Sequence, residues 1–156
     1  MTHAAHEDHK TGITALLSAS YHFMMGRIID DLAAAGHSDL SKTQLHLLSR
    51  IDGDGMTVGD LAARVQIPLQ IVNNLVQMMT ENEYLATERV GDDIQATSVR
   101  VADRGTAARR LIIESQQSVE RDWATALGEE SYESLRGRLR DLFDSTTHRQ
   151  PAKTHK

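Results

Sequence analysis

Four amide side chains on one short segment are the feature of this 156-residue chain best suited to chemistry. Gln70, Asn73, Asn74 and Gln77, with Glu81 beyond them, follow an i, i+3, i+4, i+7, i+11 spacing, which in a helix puts all five on one face. Leu69, Val72, Val76 and Met79 fall on the opposite face. An Asn or Gln amide can bond N6 and N7 of adenine together, so an uncharged amide row suits direct contact with A·T base pairs in a major groove. Any surface helix also carries a solvated polar face, and the row by itself leaves both readings open.

Other chemistries find less support. The chain has no cysteine, which excludes disulfides, thiolate metal sites and a cysteine nucleophile. No carboxylate pair, Ser/His/Asp arrangement or Gly-rich phosphate loop has supporting context, so there are no catalytic residues to name and no cofactor is expected. His3, His6 and His9 are three residues apart. With no apolar partner to hold them helical, they read as a His-bearing tail and not as a metal site.

Lys plus Arg total 17 against 22 Asp plus Glu, a net charge of -5, which argues against non-specific coating of nucleic acid or acidic membrane. From Thr57 to Gly105 the basic residues are Arg64, Arg89, Arg100 and Arg104, four against seven acids. No apolar run approaches the ~20 residues of a membrane span, and a cytoplasmic protein is expected.

The elements that must position the amides follow from patterning. Only two prolines and 4% aromatic residues favour helices over a β-sandwich. Ile13, Leu17, Tyr21, Met24, Ile28 and Leu32 mark one amphipathic helix that stops at Gly36,. Ser41 and Gln44 form a capping box ahead of Leu45, Leu48 and Ile51,. Thr57 with Asp60 opens a short helix through Leu61, Ala62 and Val65, and Pro68 is placed as the first residue of the amide-bearing helix,. Tyr84 to Val90 and Ile94 to Val101 flank Gly91-Asp92-Asp93 as a small hairpin,. Beyond Gly105, Ala108, Ile112, Val119 and Trp123 give a long helix; after Gly128, Tyr132, Leu135, Leu139 and Leu142 give another.

That order resembles the winged helix-turn-helix of the MarR family of bacterial transcription regulators. The matching residues are Ser41, Gln44, Leu48, Thr57, Leu61, Ala62, Arg64, Val72, Leu75, Val76, Met79, Arg89, Asp93, Val99, Arg100, Val101 and Gly105. Three positions depart from the family. Ile94 stands where the wing usually has an arginine, Glu83 where the recognition helix usually ends in glycine, and Pro68-Leu69 where the helix usually opens on polar residues. Asn82 is the alternative candidate for the left-handed turn.

The resemblance implies a mostly α fold: a winged helix-turn-helix lobe with a small β-hairpin wing, plus N- and C-terminal dimerisation helices. Residues 1–10 and 146–156 are expected as mobile tails, 11–36 and 106–145 as the dimerisation region, and 37–105 as the DNA-binding lobe. The expected function is a ligand-responsive dimeric repressor that reads a pseudo-palindromic operator in double-stranded DNA. Gln70, Asn73, Asn74 and Gln77 would read bases, and Arg64, Arg89 and Arg100 would grip phosphates at and beside the wing. Arg64 has an alternative role, covering the core with its stem. The family also implies a small aromatic acid as effector, for which Tyr21, His22, Met25 and His46 are the candidate contacts. The alternative is a dimeric small-molecule or protein-binding module of the same fold with weak or lost DNA binding, favoured by Ile94 and the acidic lobe.

Overall fold

The computed structural model describes residues 12–89 and 91–147. The described residues form six helices and three strands: α1 Ile13–Ala34, α2 Lys42–Arg50, β1 Met56–Thr57, α3 Val58–Val65, α4 Leu69–Glu81, β2 Leu85–Glu88, β3 Ser98–Val101, α5 Asp103–Leu127 and α6 Glu129–Thr147. They divide into two compact units, one ending at Ser115 and one beginning at Gln116. The fold is mostly α with a small sheet, as the patterning implies. The last helix runs to Thr147, past the expected boundary at 145, and the His3, His6 and His9 segment lies outside the described residues.

Local signals explain most helix ends. The Ser41 hydroxyl accepts from Gln44 N at 3.3 Å while the Gln44 side chain accepts from Ser41 N at 2.8 Å, the reciprocal capping box expected of this spacing,. The Thr57 hydroxyl accepts from Asp60 N at 3.0 Å and caps α3,. Pro68 is not the first helical residue: its ψ of 136° keeps it extended, and α4 begins one residue later. Its carbonyl still accepts from Ile71 N and Val72 N, and so starts the helix.

Two helices end in the same motif with different residues. At the end of α1, Gly36 N bonds Ala33 O and His37 N bonds Leu32 O, with Gly36 at φ +88°. At the end of α4, Glu83 N bonds Thr80 O and Tyr84 N bonds Met79 O, and Glu83 takes the left-handed conformation at φ 63°. Both are Schellman closures, which favour glycine at the left-handed position. Asn82, at φ -88°, does not take that role; the six-residue closing bond requires the turn one position later.

The sheet is antiparallel in the order β1-β3-β2, with Leu85 opposite Val101, Glu88 opposite Ser98 and Met56 opposite Val99. Both hairpin strands are shorter than expected. Residues 94–97 form a turn instead of pairing with the other arm, because their carbonyls serve α3: Val58 N donates to Thr97 O at 2.9 Å and Gly59 N to Gln95 O at 3.2 Å. A Cβ at Gly59 would meet Gln95 O at 3.2 Å, so glycine permits this approach. The two-residue β1 carries too little pattern to be read from sequence.

The core of the first unit joins Ile28 and Leu32 of α1 to Leu45, Leu47 and Leu48 of α2, Val58 and Leu61 of α3, Val72, Val76 and Met79 of α4, and Tyr84, Leu85, Val99 and Ala108. The expected stripe of α1 therefore splits. Its C-terminal half is buried, whereas Ile13, Leu17 and Tyr21 are exposed. On α6, Leu135, Leu139, Leu142 and Phe143 are also exposed.

Candidate nucleic-acid interface

The amide row sits where a reading surface needs it. Val72, Val76 and Met79 anchor one side of α4 in the core, at 0%, 1% and 0% exposure, so the opposite side must face outward. Gln70, Asn74 and Gln77 are exposed and Asn73 is half-buried. Gln70 donates to Asn74 Oδ1 at 3.5 Å, a long contact that leaves both amides able to turn toward another partner. α4 follows α3 through a sharp link in which Gln66 is left-handed at φ 56° and Ile67 N bonds Ala62 O. This is a helix-turn-helix, with α4 as its second helix.

The basic residues divide into held and free. Arg64 donates to Asp52 Oδ1 at 2.6 Å and to the Arg50 carbonyl at 2.9 Å, which ties α3 to the end of α2. The hydrogen bond to Arg64 holds the Asp52 carboxyl below the ordinary range, against a smaller opposing effect of burial,. Arg104 is tied more firmly. It bonds Asn82 O at 2.7 Å and Gly36 O at 3.1 Å, pairs with Asp39 at 3.2 Å and lies 4.3 Å above the Tyr84 ring,. The Tyr84 hydroxyl donates to Asp39 at 2.6 Å and contacts His37 Nδ1 at 3.0 Å. Burial and the neighbouring Asp39 carboxylate both raise the phenol's pKa, so Tyr84 keeps its proton.

Arg109, not singled out from the sequence, is half-buried and donates to the carbonyls of Leu48 and Ile51. It satisfies acceptors left at the end of α2. Arg89 and Arg100 remain exposed, on the two arms of the wing, and neither forms an ion pair among the described residues. At the wing tip Asp92 and Asp93 are exposed and Ile94 is half-buried. Asp93 Oδ1 accepts from Gln95 N at 2.9 Å, which closes the tip as a tight turn,.

The candidate effector contacts lie on two helices. Tyr21, His22 and Met25 are on α1 and His46 is on α2. His22 and Tyr21 meet edge to face at 5.8 Å, and His22 Nδ1 bonds the Ser18 carbonyl at 2.7 Å. Met25 packs against the core, while His46 is exposed. One cleft, of about 470 Å³, lies elsewhere, between α3, the start of α4 and the wing, lined by Thr57, Asp60, Leu69, Asp93 and Gln95. Among the described residues no three His, Asp or Glu side chains are grouped to hold a metal, and no helix is long and apolar enough to cross a membrane.

A helix-turn-helix followed by a small antiparallel wing and two long helices is the MarR-type winged-helix fold. Solved structures of MarR and MepR share it. The chain matches a crystal structure of MarR with a TM-score of 0.70 at 20% identity, over 87% of this chain and 98% of that one. It matches MepR, a transcription regulator of the Staphylococcus aureus multidrug efflux pump MepA, with a TM-score of 0.67 at 18% identity, over 86% and 98%. A point mutant of S. aureus MepR bound to an oligodeoxyribonucleotide matches with a TM-score of 0.60 at 19% identity, over 86% and 98%. No family model matches the sequence, and no curated protein does.

Proposed function

We propose that this chain is a DNA-binding transcription regulator that reads an operator through α4. One observation carries the proposal: an uncharged row of amides is held facing outward on the second helix of a helix-turn-helix. Gln70, Asn73, Asn74 and Gln77 contact base edges, with a preference for A·T pairs, because Asn and Gln match the N6/N7 edge of adenine. Arg89 and Arg100 grip phosphates on either side and fix the register of the helix. Arg64, engaged with Asp52, serves to brace α3. The oligonucleotide-bound MepR structure of the same fold supports the assignment.

The working form is a two-fold homodimer in the cytoplasm. The exposed apolar residues of α1 and α6 supply surface for the contact,, and two copies of α4 would then enter successive major grooves of a pseudo-palindromic site. Regulation is by a small aromatic acid that stabilises a dimer with wrongly spaced reading helices, a population shift that releases DNA. Tyr21, His22, Met25 and His46 are the proposed effector contacts, and the outcome is repression.

A gel shift of the purified chain on the DNA upstream of its own gene, with random duplex as competitor, tests the reading. Specific retention is expected. Replacing Asn73 and Asn74 together by Ala should lower operator affinity by ~1–3 kcal/mol per lost bidentate contact while leaving the buried Val72 and Val76 face intact. Unchanged affinity in the double variant would remove the amide row as the reading surface. The acid excess of the lobe and Ile94 at the wing favour a second reading, a dimeric binding module of the same fold without useful DNA affinity. Failure of the wild-type chain to shift any duplex would select it.

A further inference from the structure

The outward side of α4 carries more than amides. Ile71 and Met78 are 50% and 51% exposed. They stand seven residues apart, and therefore on one side of the helix about two turns from each other. Each directly follows an amide, Gln70 and Gln77 respectively. Asn74, three residues after Ile71 and four before Met78, is the amide that shares their side of the helix,. Single exposed apolar residues are ordinary on protein surfaces; two in register with a row of exposed amides are a patterned surface. No residue from Leu69 to Thr80 is charged, so this helix has no guanidinium or ammonium with which to read guanine.

The base pair that complements such a surface is A·T. In the major groove it presents the N6/N7 edge of adenine on one strand and the C5 methyl group of thymine on the other. We infer that Ile71 and Met78 are specificity-determining residues that pack against thymine methyl groups beside the adenines bonded by the amides. The inference rests on the DNA-reading assignment above and deepens it. It makes sequence preference depend on apolar contact as well as hydrogen bonding, with little contribution from charge.

Replacing thymine by uracil removes only the methyl group and leaves every hydrogen-bonding atom in place, so it isolates the proposed contact. The full chain is first used to enrich duplexes from a random pool. Each thymine of the enriched site is then replaced in turn by uracil, and binding is followed by fluorescence anisotropy. Uracil at one or two positions per half-site should weaken binding about fourfold each, the worth of one buried methyl. Ile71→Ser and Met78→Ser should each erase the difference at one of those positions and spare the other. Both side chains are half exposed, so unchanged thermal unfolding is expected and checks that the fold survives. An enriched duplex bound equally well with uracil throughout, or a uracil penalty that persists in both variants, overturns this inference alone. A pool from which no duplex is enriched overturns the DNA-reading assignment and this inference with it.

Discussion

Salt dependence offers a direct measure of how few phosphates this protein can neutralise. Of the four basic residues between Thr57 and Gly105, Arg64 is paired with Asp52 at 2.6 Å and Arg104 is locked among Asp39, Asn82, Gly36 and Tyr84. Arg89 and Arg100 are left. A dimer would bring about four such groups to DNA, for a slope of log affinity against log salt of about -3.6 at roughly -0.9 per phosphate. Between 50 and 200 mM salt that amounts to a loss of about 150-fold in affinity. Titrations of operator by anisotropy across that range would measure the slope. Arg89→Ala or Arg100→Ala should each make it shallower by about 1.8, one phosphate contact per subunit. Arg64→Ala should leave it unchanged, and the fold should tolerate the loss because the pair is solvent-exposed. A shallower slope in Arg64→Ala, or an unchanged slope in both Arg89→Ala and Arg100→Ala, would refute the division into held and free arginines.

Three further outcomes concern the scaffold. Glu83→Gly should stabilise the chain by about 1 kcal/mol in chemical denaturation, since glycine adopts without strain the left-handed conformation that Glu83 holds at φ 63°,. Gly105→Ala should destabilise by about 3 kcal/mol, because a Cβ there would lie 2.2 Å from Tyr84 O and 2.8 Å from Val101 Cγ1,; a melting temperature equal to wild type would contradict that packing. Asp39 is pushed up by burial but held below its ordinary value of 3.8 overall by the Tyr84 hydroxyl, a backbone bond and Arg104. A depressed carboxyl stabilises the fold above its unfolded pKa and stops doing so as pH falls through the folded one. Asp39→Asn should therefore be less stable than wild type at neutral pH, with the gap closing below 3.8; a gap constant from pH 7 to 2 would show that the charge on Asp39 is immaterial.

How much of this was legible in the sequence depended on the range of the interactions involved. The capping box of Ser41 and Gln44 and the Thr57 cap are each set within four residues along the chain, and the amide row recurs at steps of three and four, so spacing alone locates all three. Glu83 was visible as a departure from a glycine, but not as the residue that bears the left-handed turn. Asn82 is the better left-handed residue by type, and only the pairing of Tyr84 N with Met79 O fixes the turn one position later. The observed wing strands are shorter than expected because β-branched content in residues 94–101 reports a preference for extended backbone, not the partner of each carbonyl. Thr97 and Gln95 spend theirs on the first turn of α3. The least legible part was the fate of the arginines. Arg64 reaches back 12 residues to Asp52, and Arg104 reaches 65 to Asp39. Composition counts the four arginines between Thr57 and Gly105 alike, yet two of them hold the scaffold, and Arg89 and Arg100 are exposed and form no ion pair among the described residues. The proposed reading helix carries no charged residue from Leu69 to Thr80. Under the proposed assignment specificity would rest on its amides and apolar groups, since Arg64 and Arg104 are already engaged in bracing the lobe.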